Sequence, residues 1–125
     1  MTTGRILVVE DNDKNLKLTR DVLEFAGYTV EVATTGEEAV AQALASVPDL
    51  ILMDLQLPGM DGHEALARLR ADPDTQRVPV VALTASAMPM DRERALSAGF
   101  DGFLEKPISV REFPDQVRRH LRKRR

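Results

Sequence analysis

The sequence predicts an α/β fold in which five parallel strands form one sheet and five helices cover its two faces. Short apolar runs alternate with longer amphipathic stretches five times along the 125 residues, which is the order of a doubly wound sheet. The first, third and fourth runs are apolar at successive positions, as strands covered on both faces are. No repeat, low-complexity tract or interdomain linker interrupts the pattern, so we expect one domain over residues 1–125.

The five strands are predicted from short apolar or β-branched runs bounded by glycine, proline or charged residues. They are RILVVE, YTVEVAT, LILMD, VPVVALTA and GFLEKP, at residues 5–10, 28–34, 50–54, 78–85 and 102–107. The second run alternates apolar and polar residues, which is typical of a strand with one polar face.

Amphipathic stretches between these runs predict the five helices. They span residues 12–26, 35–47, 61–71, 91–98 and 109–121. Gly27 and Gly99 follow the first and fourth stretches in the C-cap position, and Thr35 with Glu38 has the spacing of a capping box. The last helix, capped by Ser109, must accommodate Pro114 in its first turns.

Composition excludes several classes of protein. The chain has no cysteine, which rules out disulfides and thiolate zinc sites. Its net charge of -3 argues against nucleic acid as the main partner. No apolar run approaches the roughly 20 residues that cross a bilayer, and the N-terminus lacks a secretory signal. We therefore expect a cytoplasmic protein without membrane insertion.

The C-terminal run RRHLRKRR at residues 118–125 is strongly basic. It is either the solvated end of the last helix, whose cations complement the helix dipole, or an electrostatic surface for an acidic partner or a membrane. The sequence leaves both interpretations open.

Polar residues follow four of the predicted strands. Glu10 and Asp11 end the first strand, Asp54 the third, Thr84 the fourth and Lys106 the fifth. In a doubly wound sheet, ligands bind at the carboxyl ends of the strands. We therefore expect three carboxylates, a hydroxyl and an ammonium to converge on one edge.

This combination predicts metal-assisted phosphoryl chemistry. Clustered carboxylates repel one another and raise each other's pKa, and a hard divalent cation such as Mg²⁺ relieves that repulsion. An aspartate beside such a metal can act as a nucleophile and become an aspartyl phosphate. This chemistry accounts for Asp54 in an apolar run, where an uncompensated charge would be costly.

Four motifs resemble the receiver domain of bacterial two-component response regulators. They are VVEDN at residues 8–12, LILMDLQLPGMDG at 50–62, ALTA at 82–85 and FLEKPI at 103–108. They occur in the order and spacing of that family and cover essentially the whole chain. The resemblance implies the flavodoxin-like doubly wound (βα)5 receiver fold, and stand-alone receivers of the DivK type are particularly similar.

The resemblance implies a role for each residue at the acceptor. Asp54 matches the phosphoacceptor, and Asp11 matches the direct Mg²⁺ ligand. Glu10 matches a residue that acts largely through metal-bound water, and the backbone carbonyl of Gln56 matches a further ligand. With Ser86, Gln56 is also expected to flank the path of attacking water and so to set the phosphoryl lifetime.

The resemblance also implies a switch. Thr84 matches the hydroxyl that turns toward the phosphoryl group, and Lys106 matches the lysine that bonds it. Phe103 matches the aromatic residue that moves inward when Thr84 does. The face built from the fourth helix, the fifth strand and the fifth helix would then change its affinity for a downstream protein.

These roles imply a phosphorylation-controlled signalling switch with Mg²⁺ as cofactor. A sensor histidine kinase or a histidine phosphotransferase would be the donor. The chain would not be an enzyme, apart from intrinsic autophosphorylation and autodephosphorylation. We expect no effector domain and a monomer or weak homodimer. The alternative is a receiver module excised from a hybrid kinase or a longer response regulator.

Three other classes of protein fit the sequence less well. A haloacid-dehalogenase-type phosphohydrolase would carry a second aspartate where Gln56 stands, and a nucleotide-binding module would need a glycine-rich first turn. A degenerate receiver would lack acceptor-site residues that are present here. Each role also has a structural alternative: Asp54 could be a turn or capping residue, Thr84 an ordinary strand residue, Phe103 a core residue and Lys106 a surface lysine. His63 and His120 are expected to be solvated helix residues rather than metal ligands.

Overall fold

The computed structural model describes residues 4–57, 59–85, 88–106 and 108–122. Five parallel strands form one sheet in the order β2-β1-β3-β4-β5. The strands are β1 (Arg5–Val9), β2 (Thr29–Ala33), β3 (Leu50–Asp54), β4 (Val80–Thr84) and β5 (Gly102–Glu105). The helices are α1 (Asp13–Phe25), α2 (Gly36–Ala45), α3 (Gly62–Ala71), α4 (Pro89–Ala98) and α5 (Phe113–Arg122). The predicted α/β class is confirmed.

Three element starts differ from the prediction by two residues or more. β4 begins at Val80 rather than at Val78, because the intervening proline has no N–H to donate to the sheet. α4 begins at Pro89 rather than two residues later, where a proline's missing N–H costs nothing. α5 begins at Phe113, because Ser109 first closes a turn by accepting a hydrogen bond from the Phe113 N–H at 2.8 Å.

The core forms two layers, one on each face of the sheet. Successive residues of β1 alternate between them, with Leu7 and Val9 in one layer and Ile6 and Val8 in the other. Helices α2, α3 and α4 cover the first layer, and α1 and α5 cover the second. All residues of β3 and β4 are buried, which explains why their sequences are apolar at successive positions. Within the described residues, no helix combines the length and apolar character needed to cross a membrane.

Arg70 holds together the amino edge of the sheet. Its guanidinium donates four hydrogen bonds, which include the carbonyls of Val78 at 2.7 Å and Gly99 at 3.2 Å. Another of the four is an ion pair with Asp101 at 2.8 Å, and the Asp101 Oδ2 accepts a further bond from the Val80 N–H at 2.8 Å. The end of α3, the start of β4 and the end of α4 therefore share one network.

Replacing Arg70 should reveal the strength of this network. We expect Arg70→Met to lower the free energy of unfolding by about 2 to 3 kcal/mol, because four hydrogen bonds are lost together, one of them to the partly buried Val78 carbonyl. Arg68→Met is the matched control and should change stability by less than about 0.5 kcal/mol. Among the described residues, the one ion pair of Arg68 is an exposed contact with Glu64 at 3.4 Å. Urea unfolding followed by circular dichroism measures both, and equal effects would contradict the role of Arg70.

Candidate functional site

Three acidic side chains meet at the carboxyl edge of the sheet. Glu10 follows β1, Asp54 is the last residue of β3, and these strands are neighbours. One carboxylate oxygen from each of Glu10, Asp11 and Asp54 lies within 4.8 Å of the others. Glu10 and Asp54 are 1% and 4% exposed, whereas Asp11 is open to solvent. The predicted convergence of the carboxylates is present.

Lys106 reaches into this cluster from the end of β5. Its Nζ lies 2.8 Å from Asp54 Oδ2 and 3.1 Å from Glu10 Oε1. The Lys106 N–H donates to the Thr84 carbonyl at 2.7 Å, which fixes the backbone beside β4. The lysine side chain is only 15% exposed, so the alternative of an ordinary surface lysine is wrong. Its charge compensates carboxylates that would otherwise be buried unpaired.

Backbone donors orient the two buried carboxylates. The Gln56 N–H donates to Asp54 Oδ1 at 2.9 Å, and the Asn12 N–H donates to Glu10 Oε2 at 3.2 Å. Asp54 therefore makes the local contact expected of a turn residue, which was the alternative interpretation of this position. Its other oxygen is held by Lys106, so the turn accounts for only half of the side chain's contacts.

The pKa values of Glu10 and Lys106 both rise. Burial is the main reason that the pKa of Glu10 lies above its ordinary value, and the neighbouring Asp54 raises it further. Burial alone would lower the pKa of Lys106, but hydrogen bonds and charges from Asp54 and Glu10 raise it overall. The site therefore holds the proton on Lys106 strongly and resists ionisation of Glu10.

Gly62 is a contributor that the sequence reasoning missed. A Cβ on Gly62 would lie 2.9 Å from the Asp54 carbonyl oxygen and 3.0 Å from the Leu55 Cα. Only glycine lets the first turn of α3 pack directly on the backbone that carries Asp54. The preceding Asp61 caps α3, accepting from the Glu64 N–H at 2.9 Å. In the sequence, the pair Asp61-Gly62 shortly after Pro58-Gly59 is the signal that could have identified Gly62.

Thr84 and Phe103 lie on neighbouring strands near Asp54. Thr84 is the last residue of β4 and is 6% exposed. Phe103 lies opposite Ala82 in the register of β4 and β5, is half-buried, and packs against the core layer under α2, α3 and α4. This placement agrees with a core role for Phe103 and leaves its switch role a prediction. The Gln56 side chain is exposed.

The expectation that both histidines are solvated is wrong. His63 is half-buried and meets the Phe100 ring edge-on, with ring centroids 5.4 Å apart. His120 is half-buried as well, and a Cβ on Gly102 would overlap its ring. Helix position alone misled the prediction, because packing of α3 and α5 against other elements covers both rings.

The donor set fits a hard divalent cation. All three clustered side chains offer carboxylate oxygens, which Mg²⁺ prefers. The exposed Asp11 leaves the cluster open to solvent, and Mg²⁺ commonly keeps several water ligands. Two of the carboxylates are also buried and mutually repelling, so they gain from a further positive charge.

Comparisons of the sequence and of the structure with known proteins point to the same family. A model of the response regulator receiver domain matches residues 6–118. The polar-differentiation response regulator DivK of Brucella ovis is 41% identical over 119 residues, which cover 95% of this chain and 97% of the relative. A putative response regulator from Chloroflexus aurantiacus has a similar structure, with a TM-score of 0.91, 34% identity, and coverage of 95% of this chain and 98% of that one.

A second solved structure bears on the metal. The receiver domain of a sensor histidine kinase from Pseudomonas aeruginosa superposes with a TM-score of 0.87 at 39% identity, covering 94% of this chain and 97% of that one. That structure has a magnesium ion coordinated in its active site cleft.

Glu10→Gln should stabilise the metal-free protein at neutral pH. Because the pKa of Glu10 is raised in the folded state, the folded protein binds this proton more tightly than the unfolded chain does. The resulting stabilisation is complete below the ordinary value of 4.5 and is lost as pH rises through the folded value. The advantage of the variant should therefore be present near pH 7 and vanish below about pH 4.

Urea unfolding in the presence of a chelator measures this pH dependence. Glu24→Gln, at an exposed position on α1, is the control and should show no such dependence. An advantage of Glu10→Gln that grows as the pH falls would refute the explanation.

Proposed function

The chain belongs to the response regulator receiver domain family, and we propose that Asp54 is the residue on which it accepts a phosphoryl group. Receiver domains take phosphoryl groups from histidine kinases, so the chain is a phosphorylation-controlled switch rather than an enzyme with a separate substrate. One observation carries the choice of Asp54. It is the last residue of β3, the middle strand of the sheet, between β1, which Glu10 follows, and β4, which Thr84 ends. A backbone N–H contacts one oxygen of Asp54 and Lys106 the other, as they do at Glu10, so position rather than bonding identifies Asp54.

The transfer is a nucleophilic displacement at phosphorus. An Asp54 carboxylate oxygen forms the new P–O bond, and the bond from phosphorus to the donor breaks. The departing electron pair stays with the donor, on an imidazole nitrogen of a phosphohistidine or on a carboxylate oxygen of an acyl phosphate. Lys106 Nζ, already 2.8 Å from Asp54 Oδ2, then neutralises charge on the phosphoryl group, and the Thr84 hydroxyl donates a hydrogen bond to it.

Residues on the same edge would hold Mg²⁺. Asp11 and Asp54 would bind it directly, Glu10 largely through a metal-bound water, and the Gln56 backbone carbonyl would complete the protein ligands. When bound, Mg²⁺ supplies positive charge that offsets the carboxylates and the phosphoryl oxygens. The magnesium ion in the similar Pseudomonas receiver domain and the all-oxygen donor set support this assignment.

We also propose that phosphorylation changes the face built from α4, β5 and α5. The structure describes every residue of α4, and one of them, Ala95, is buried. Because so little of this helix is buried, it is loosely held. Met88 and Met90 at its start are 64% and 80% exposed, so this end offers an apolar surface to a downstream protein. A shift of Thr84 and Phe103 would then alter partner affinity through the populations of two states.

We treat residues 1–125 as one receiver domain that acts as a monomer or weak homodimer. The match covers 97% of the DivK relative, and the receiver domain of a sensor histidine kinase is similar over 97% of its length. A phosphohydrolase that uses a second aspartate is disfavoured, since Gln56 stands at that position and has no carboxylate.

Phosphorylation by a small donor tests the acceptor directly. With Mg²⁺ and acetyl phosphate, the wild type should gain the mass of one phosphoryl group, and Asp54→Asn should gain none. Lys106→Met should be phosphorylated far more slowly, because the charge beside Asp54 is lost. Lys14→Met, at an exposed position on α1, is the matched control and should behave like the wild type. Intact-mass spectrometry over time measures all four proteins.

Two outcomes would count against the proposal. A mass gain that persists in Asp54→Asn would place the acceptor elsewhere. No gain in folded wild type, from acetyl phosphate or from a phosphorylated histidine kinase, would indicate a receiver that works without phosphorylation.

Gln56 should set how long the phosphoryl group survives. We expect Gln56→Ala to shorten the lifetime severalfold, because a smaller side chain beside Asp54 admits water more easily. Gln76→Ala, at an exposed position far from the site, is the control. The loss of phosphoryl mass after removal of the donor gives the rate, and an unchanged lifetime would exclude Gln56 from this role. Its predicted companion, Ser86, lies outside the described residues.

A further inference from the structure

A cleft of about 150 Å³ opens beside the acceptor, between α3 and α4. Its lining consists of Leu55, Gln56, His63, Thr84, Asp91 and Arg94. Two of these residues directly follow Asp54 in the chain, and Thr84 follows Leu83, which is paired with Asp54 in the sheet. At roughly 30 Å³ per water molecule, the cleft has room for a phosphate ion or a small phosphate ester.

Three side chains in this lining can donate hydrogen bonds to a ligand. Within the described parts of the chain, Gln56, His63 and Arg94 make no side-chain hydrogen bond or ion pair with another residue. The His63 ring is held in place by its edge-on contact with Phe100. An amide, an imidazole and a guanidinium around one small space form a composition that suits an oxyanion.

One positive charge in the lining is available to an anion. The cation of the acceptor site, Lys106, is already bonded to Glu10 and Asp54, so an approaching phosphate meets clustered carboxylates. Arg94 is the one arginine or lysine among the described residues of the lining. Asp91 lines the cleft as well and opposes the anion, but it has an interaction of its own and no ion pair with Arg94.

We propose that this cleft is a binding subsite for a phosphate oxyanion, with Arg94 as its charged contact and Gln56 and His63 as further donors. The inference rests on the proposed function of Asp54. The occupant would be a small phosphodonor before transfer or inorganic phosphate after hydrolysis. Arg94 would then determine how well the chain uses small acyl phosphates, while the acceptor chemistry stays with Asp54 and Lys106.

Titration with inorganic phosphate tests the subsite without any turnover. In metal-free wild type, phosphate should shift the NMR signals of the Gln56 side-chain amide and the Arg94 guanidinium. Arg94→Gln should raise the dissociation constant about threefold to tenfold, the range expected for one exposed charged contact. Arg92→Gln, an exposed position on the same helix outside the cleft lining, should leave it unchanged.

Asp91→Asn should change the dissociation constant for phosphate in the opposite direction to Arg94→Gln. Removing this carboxylate should tighten phosphate binding, whereas damage to α4 would weaken it. Shifts confined to Lys106 and Asp54, or equal weakening by Arg94→Gln and Arg92→Gln, would overturn the subsite and leave only general electrostatic attraction.

Phosphorylation kinetics distinguish the two sources of the ligand. If acetyl phosphate occupies the cleft, Arg94→Gln should raise the half-saturating concentration of acetyl phosphate by the factor by which it raises the dissociation constant for phosphate. The phosphorylation rate at saturation should not change. Inorganic phosphate should then compete in the wild type and much less in Arg94→Gln. Phosphate binding without any change in half-saturation would assign the cleft to the released product.

The subsite and the proposed function can fail separately. A wild type that gains no phosphoryl mass refutes the function, and the phosphate titration still decides the subsite. Normal phosphorylation together with no shifts in the cleft refutes the subsite alone.

Discussion

The site depends on one ammonium group placed between two buried carboxylates. Lys106 Nζ lies within hydrogen-bond distance of both Glu10 and Asp54, and burying either carboxylate without it would be costly. The compensation is incomplete, because three carboxylates meet one cation. That residual negative charge explains why the edge suits a divalent metal, and why a phosphoryl group becomes tolerable only once positive charge is present.

The parallel sheet is what makes this arrangement possible. Strand ends that are far apart in sequence lie side by side at one edge, so residues separated by 96 positions form an ion pair. For this reason Glu10, Asp54, Thr84 and Lys106 could be placed together from the sequence, once the apolar runs were recognised as parallel strands. Element starts were less predictable at Pro89 and Phe113, because local turns and backbone hydrogen bonds decide where a helix begins.

What the sequence could not give was the packing of helices against the edge. The contact of Gly62 with the backbone of Asp54 depends on how closely α3 approaches β3. The edge-on contact of His63 with Phe100, and the cleft that Arg94 shares with Gln56, depend on the separation of α3 from α4. Such distances leave no periodic signal in a single sequence, whereas strand ends and caps do.

The two edges of the sheet are held with different firmness, and that difference suits a switch. At the amino edge, Arg70 and Asp101 tie the end of α4 to the strands through several hydrogen bonds. At the carboxyl edge, α4 begins at Pro89, its N-cap residue Met88 makes no side-chain cap hydrogen bond, and the helix lines a cleft beside Thr84. A helix fixed at one end and weakly held at the other needs little free energy to change position. If phosphorylation makes new contacts at Asp54, as proposed, we expect them to shift the population of this helix while the core stays intact.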